Sequence, residues 1–142
     1  GGARQDLYDL VLKAYSALEK NGDVTLVLIQ YIWKFIAVAG LMPSLTHCPV
    51  CDTAYHERDT LGYHSALHVP CCRRCSDLFE DDSRMIMGPG FRRYAVLTAA
   101  MDFDEAISVE LSLPTASRIK RYMLQYIASI AGGELKSLSM VM

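Results

Sequence analysis

The chain has 142 residues, a formal net charge of −2, and 51% hydrophobic against 21% charged residues. That is the length of about one domain, enough to bury a core without disulfides. The charge excludes a chain drawn to nucleic acid by bulk positive field. GGARQ at the N-terminus lacks a basic region followed by an apolar run, so no secretory signal is expected, and Gly1-Gly2 reads as the remnant of a longer chain.

Residues 6–20, DLYDLVLKAYSALEK, place Leu7, Leu10, Val11, Ala14 and Leu18 on one helical face. Asp6 is expected to cap its start and Asn21-Gly22 to end it. Asp23 then caps a second helix, from about Val24 to Ala39, closed by Gly40. This helix is apolar nearly all round, with Trp33 inside, and is expected at the centre of a bundle. TLVLIQYIWKFIAVAGLM, residues 25–42, is barely long enough to span a membrane and carries Gln30 and Lys34 near its middle, so a buried helix is the expected reading. From Pro43 to about Gly90 the chain is rich in cysteine, histidine, proline and charge. Loops and short strands organised by a metal are expected there, ended by MGPG at 87–90. FRRYAVLTAAM, 91–101, is helical, with Phe91, Tyr94, Ala95, Thr98 and Met101 inward. DFDEAISVELSL, 102–113, alternates like a strand at Ile107, Val109 and Leu111 but sits among helices, which favours a short helix. Ile119, Tyr122, Met123, Tyr126, Ile127 and Ile130 define the last helix. Pro114 falls in its first turn, Gly132-Gly133 are expected to stop it, and the tail is expected to dock back.

The expected architecture is mainly α: a helical bundle with an inserted four-cysteine zinc-knuckle or zinc-ribbon module. Residues 3–42 form its first part, 43–90 the zinc-binding insertion and 91–142 its second part, together one compact domain.

Five cysteines in two clusters, without a secretory signal, point to metal binding in a reducing compartment. Cys48-Pro-Val-Cys51 and Cys72-Arg-Arg-Cys75 are two CxxC knuckles, with twenty residues between Cys51 and Cys72. Each spacer lets two sulfurs face one ion, and four soft thiolates suit one structural Zn²⁺. Iron–sulfur is the second candidate. Using Cys72 with Cys75 preserves the CxxC spacing and leaves Cys71 spare. The loaded chain would carry a charge of roughly −4. His47, His56, His64 and His68 flank or lie within the loop and are not needed as ligands. A closed thiolate shell leaves no position for a reactive water, and no histidine is followed two residues later by glutamate, so zinc deaminase chemistry is excluded and no enzyme is expected. There is no phosphate loop and no dinucleotide fingerprint.

Basic residues are grouped: Arg73-Arg74 within the second knuckle, Arg92-Arg93 after MGPG, Arg118, Lys120 and Arg121 on the last helix, and Lys136 in the tail. A solvated face is the bland reading of each group. Contact with nucleic-acid phosphates or an acidic partner is the sharp one, and Arg73 and Arg74 lead because the metal would fix their backbone. Tyr122 and Tyr126 belong to the core rather than to a base-stacking platform.

An apolar helix ending in Gly40-Leu-Met-Pro43, two CxxC pairs around a polar loop, and a last amphipathic helix followed by Leu135-Lys136-Ser137 resemble the C-terminal part of RecO, a bacterial recombination mediator family. The similarity runs from about residue 6 to 140. It implies DNA repair and recombination, with recombinase loading and strand annealing. It also implies docking of the acidic, apolar tail of single-strand binding protein and of RecR, and a cytoplasmic, nucleoid-associated location without a membrane role. Single- and double-stranded DNA would be bound mainly by an N-terminal OB-fold, expected to be missing from this chain. The doubled Gly132-Gly133 and the low basic count depart from the family pattern. The alternative is an autonomous zinc-ribbon module that binds nucleic acid.

Overall fold

The computed structural model describes residues 2–20, 22–77 and 85–141, with the backbone alone at Ala3 and 133–141. The order of elements is α1 (Gly2–Glu19), α2 (Val24–Val38), β1 (Gly62–His64), β2 (Val69–Cys71), α3 (Pro89–Ala99), α4 (Phe103–Ile107) and α5 (Leu113–Val141). The chain is mainly helical, with its cysteine segment on a small hairpin, as expected. It divides into two compact units: Gly1–Met42 with Arg93–Lys120, and Pro43–Arg92 with Arg121–Met142. The second half of α5 thus packs with the cysteine segment, whereas the sequence grouped all of 91–142 with the first helices.

In the first unit, α1 starts four residues before the expected cap at Asp6. Ala3, Arg4 and Gln5 are good helix formers, and Gln5 Nε2 donates to Asp9 Oδ1 at 3.0 Å one turn on. Leu10 and Ala17 of α1 join Val27 and Phe103 in a core cluster, with Ala14, Tyr31, Phe35 and Ile107 against it. Leu18, expected inward, is 42% exposed, because the buried stripe follows Leu10, Ala14 and Ala17 instead. Asp23 caps α2 by accepting from Leu26 N at 3.0 Å. At the other end Gly40 takes φ +75°, and Gly40 N donates to Ala37 O while Leu41 N donates to Ile36 O, the paired bonds of a Schellman closure.

Three side chains of α2 make polar contacts with α3 and the turn after it. Gln30 Nε2 donates to Tyr94 Oη at 2.7 Å, and Trp33 Nε1 to Ala95 O at 3.1 Å. Lys34 Nζ donates to Thr98 O at 2.6 Å and Met101 O at 2.5 Å, placing a cation where α3 ends, with Thr98 O also accepting from Met101 N at 3.1 Å. Burial lowers the Lys34 pKa, against the pull of Asp102. α4 is the short helix expected over 102–113: Asp102 accepts from Glu105 N at 2.8 Å and buries Phe103 and Ala106 behind that cap. Ser112 supplies the α5 start, its Oγ accepting from Thr115 N at 3.4 Å, with Pro114 in the first turn.

In the second unit, β1 and β2 pair antiparallel with Gly62 opposite Cys71, Tyr63 opposite Pro70 and His64 opposite Val69. Leu61 and Met87 exchange backbone hydrogen bonds at 2.8 and 3.0 Å, tying the hairpin to the segment before α3. Tyr122, Met123 and Tyr126 are buried. Tyr126 meets Tyr63 edge-on at 6.4 Å and Tyr122 meets Phe91 at 4.9 Å. Tyr63 Oη donates to Ser129 Oγ at 2.8 Å, and His68 Nδ1 lies 2.7 Å from the same hydroxyl. These contacts explain why the second half of α5 belongs here. Among the described residues the helix does not stop at Gly132-Gly133: α5 continues to Val141. Two glycines cost about 1 kcal/mol each in a helix interior, and Glu134, Leu135 and Lys136 immediately after them favour helix.

No helix among the described residues is long and apolar enough to cross a membrane.

Candidate metal centre

The first knuckle is built on a tight turn. Asp52 N donates to Cys48 O at 2.8 Å, Asp52 takes φ +62°, and Cys48 N donates to Thr53 O at 2.9 Å to bring the chain back. His47 and Ala54 form an antiparallel bridge beneath it. The second knuckle follows β2 directly, with Cys75 N and Ser76 N both donating to Cys72 O at 3.1 Å. Gly62 lets the two parts close: a Cβ there would meet the Ser76 Cβ and Oγ at 2.5 Å. The same Ser76 Oγ accepts from Tyr63 N at 3.2 Å and donates to Tyr63 O at 3.1 Å.

This folding brings one ligand atom each from Cys48, Cys51, Cys72 and Cys75 within 4.8 Å of one another. The sulfurs of Cys51 and Cys72 are 3.8 Å apart. A tetrahedron with metal–sulfur bonds of about 2.3 Å has edges of about 3.8 Å, while a disulfide would need about 2.05 Å. Cys71 stays out of the group, at the end of β2, buried at 0% exposure. Successive side chains of an extended strand leave on opposite faces, so Cys71 and Cys72 do not share one site. Burial, then the neighbouring sulfurs, push the Cys71 thiol up to about 12.

Cys48 is the inner corner, at 1% exposure, and its sulfur accepts from Val50 N and Cys72 N, both at 3.4 Å. Cys51 is the outer corner. Its sulfur lies 3.2 Å from Thr53 Oγ1, whose hydroxyl as donor is the chief cause that pulls the Cys51 thiol down to about 6. Arg74 Nη2 sits 3.9 Å from the same sulfur. Cys75 is pushed up to about 12, first by its hydrogen bond to Cys72 and then by burial. Four thiolates this close repel, and a divalent cation removes that repulsion. The donor set, the spacing and the amides aimed at Cys48 fit a tetrathiolate zinc ion. Such an ion would fill its shell with these four residues and serve to staple the loop. Among the described residues no histidine joins this group. His47 Nδ1 lies 3.1 Å from Thr46 Oγ1, His64 Nδ1 accepts from Leu67 N at 3.2 Å, and His68 Nδ1 faces Ser129.

The basic residues separate by environment. Arg73 is exposed and lines a cleft of about 250 Å³ with Tyr55, Arg58, Asp59, Thr60, Leu61 and Cys72. Arg74 is exposed but leans on Cys51. Arg92 is a correction to the surface set. It is 6% exposed, its Nη2 donates to His56 O and to Glu57 O, the latter at 2.8 Å, and its guanidinium lies 5.5 Å from the Tyr55 ring. The helix turns Arg92 inward and leaves its neighbour Arg93 exposed. Arg118 and Arg121 are exposed, Lys120 is half-buried, and the side chain of Lys136 lies outside the described residues. Sequence reasoning passed over Thr53, Arg58 and Tyr55. Thr53 carried a signal, a hydroxyl two residues past a knuckle cysteine; Arg58 and Tyr55 acquire their places only through the fold.

A family model described as Recombination protein O C terminal matches residues 2–139. Two curated proteins named DNA repair protein RecO are similar. That of Bacillus velezensis is 28% identical over 131 residues, covering 92% of this chain and 49% of the relative. That of Bacillus subtilis is 24% identical over 131 residues with the same coverage, 92% and 49%. The chain therefore spans about half the length of the curated relatives it matches. No solved structure matches it.

Proposed function

The chain belongs to the RecO family, through that family's C-terminal region, and on that premise we propose that it is the zinc-stapled, partner-docking part of a DNA repair and recombination mediator. Cys48, Cys51, Cys72 and Cys75 hold one structural zinc ion, and the chain is not an enzyme. Its partners are the acidic, apolar tail of single-strand binding protein and RecR, in support of recombinase loading and strand annealing in the cytoplasm. DNA itself falls mainly to an OB-fold elsewhere in the full-length protein. The observation that carries the docking reading is the cleft beside the second knuckle. Arg58 and Arg73 give it cationic character, Tyr55 gives it an aromatic wall above the buried Leu61, and Cys72 lies on one side. Such a lining suits a short peptide that is both acidic and apolar. The Asp59 carboxylate in the same cleft is already occupied, accepting from His56 N at 2.8 Å. The net charge of −2 argues against bulk DNA binding by this part alone.

The test is fluorescence anisotropy with a labelled tail peptide of single-strand binding protein and, separately, single-stranded DNA. The proposal predicts saturable peptide binding weakened about tenfold by Arg58→Ala with Arg73→Ala, and weak DNA binding. The second reading, an autonomous nucleic-acid module, rests on the exposed Arg73 and Arg74 pair. It predicts DNA affinity that falls steeply with salt and is lost on Arg73→Ala with Arg74→Ala. Absence of any peptide binding contradicts the docking reading.

A further inference from the structure

The turn that presents Arg58 to the cleft is held from behind by a residue outside the cleft. Residues 56–59 close on themselves: Asp59 N donates to His56 O at 3.1 Å, and His56 N donates to Asp59 Oδ2 at 2.8 Å. Glu57 and Arg58 are the two central residues. The segment is anchored at each end by backbone bonds, Tyr55 N to Thr46 O at 2.9 Å on the knuckle side and Leu61 N to Met87 O at 2.8 Å on the other. Between those anchors Arg92 ties the turn to α3. From the first turn of that helix its Nη2 donates to His56 O and, at 2.8 Å, to Glu57 O. Its guanidinium also lies 5.5 Å from the centroid of the Tyr55 ring. One buried side chain thus holds two carbonyls of the turn and the aromatic residue that lines the cleft beside it. Its Nη1 is buried and makes no hydrogen bond among the described residues. An unpaired buried donor opposes folding, so the guanidinium is not explained by stability alone.

We propose that Arg92 is the positioning residue of the docking cleft: it fixes the 56–59 turn so that Arg58 stands ready for an acidic, apolar peptide. The proposal rests on the docking reading of the cleft above and adds how its wall is preorganised. A long cation on a free turn has to be ordered when a peptide binds, and ordering side chains and loops at that moment weakens affinity. Held by Arg92, the turn is ordered beforehand, by a planar fork suited to gripping fixed acceptors. Arg73, the other cation of the cleft, stands inside the second knuckle and takes its order from there. The turn carbonyls do not depend on Arg92 to be satisfied, because His56 O keeps Asp59 N as a donor and Glu57 is exposed. Arg92→Met is therefore expected to loosen the turn without unfolding the unit around it.

Two measurements on the full chain test it, one of which needs no peptide. Amide hydrogen exchange is followed at Asp59, bonded within the turn, and at Leu61, bonded to Met87. Arg92→Met is expected to speed exchange at Asp59 about tenfold or more and to leave Leu61 unchanged. The labelled tail peptide of single-strand binding protein is then titrated by anisotropy. Arg92→Met is expected to weaken binding about fivefold in the wild-type background and less than about twofold further in an Arg58→Ala background, where the turn has no cation left to position. Unchanged exchange at Asp59 overturns the assignment. So does an equal loss of affinity with and without Arg58, or loss of zinc and of cooperative unfolding in Arg92→Met, since each would make Arg92 a residue of the general structure. A wild-type chain that does not bind the peptide, with Asp59 exchange still faster in Arg92→Met, overturns the docking role through the reading it rests on, and the exchange result separates that failure from failure of the positioning.

Discussion

Gly62 shows how one missing side chain decides whether the cage closes. The space a Cβ would need is held by Ser76 Cβ and Oγ at 2.5 Å, one residue past Cys75, and Ser76 cannot swing aside without breaking its bonds to the Tyr63 backbone. Gly62→Ala is therefore expected to destabilise the second unit by about 1–3 kcal/mol, the usual cost of forcing atoms into a packed site. The same change should weaken zinc binding. Urea midpoints and chelator competition on the same protein check both effects; an unchanged midpoint would mean that Ser76 is free to move. Cys71 and Cys72 illustrate the opposite case, a residue-level distinction already visible in spacing, because a CxxC knuckle is local chemistry. Arg92 was not visible in the same way. Arg92 and Arg93 are chemically identical neighbours, and only the packing of 55–57 against one of them makes it an interior residue.

Among the elements, α5 departs furthest from what its sequence suggested. Its buried face, through Ala116, Ile119, Tyr122, Met123 and Tyr126, follows from spacing alone. Its length does not, because a glycine pair is a weak penalty that the adjoining turns outweigh. Gly132 lies within the helix and a Cβ there would meet nothing within 4 Å. Gly132→Ala is thus expected to raise stability by about 0.5–1 kcal/mol, through reduced backbone freedom in the unfolded chain and better helix propensity. Thermal unfolding followed by far-ultraviolet circular dichroism measures it, and a loss of stability would mean that the helix ends there in a left-handed turn. Spacing also gave the inward face of Tyr122 and Tyr126 without giving its partner. Only the fold pairs them with Phe91 and Tyr63, which moves 121–142 into the unit of the cysteines. α2 was legible for a physical reason: Asp23 and Gly40 carry boundary signals that depend on the backbone alone.

For the molecule as a whole, tyrosine burial sets an alkaline limit. Burial is the first cause raising the pKa of Tyr55, Tyr63, Tyr94, Tyr122 and Tyr126, the last to about 12. A folded-state pKa above the unfolded value means that the folded chain binds more protons in that range. The stability linked to these groups is therefore complete below about pH 10, the unfolded tyrosine value, and is lost as pH rises beyond it. Tyrosinate absorbance and circular dichroism should change together in a cooperative alkaline transition; titration of all the tyrosines near pH 10 with the dichroism unchanged would contradict this. The reading of the whole chain rests on four sulfurs converging on one ion. The direct measurement is the zinc content, by elemental analysis, of natively purified wild-type, Cys71→Ser and Cys72→Ser proteins. The expected result is one zinc per chain in the wild type and in Cys71→Ser, with loss in Cys72→Ser. A wild-type protein without metal, or retention in Cys72→Ser with loss in Cys71→Ser, would contradict it.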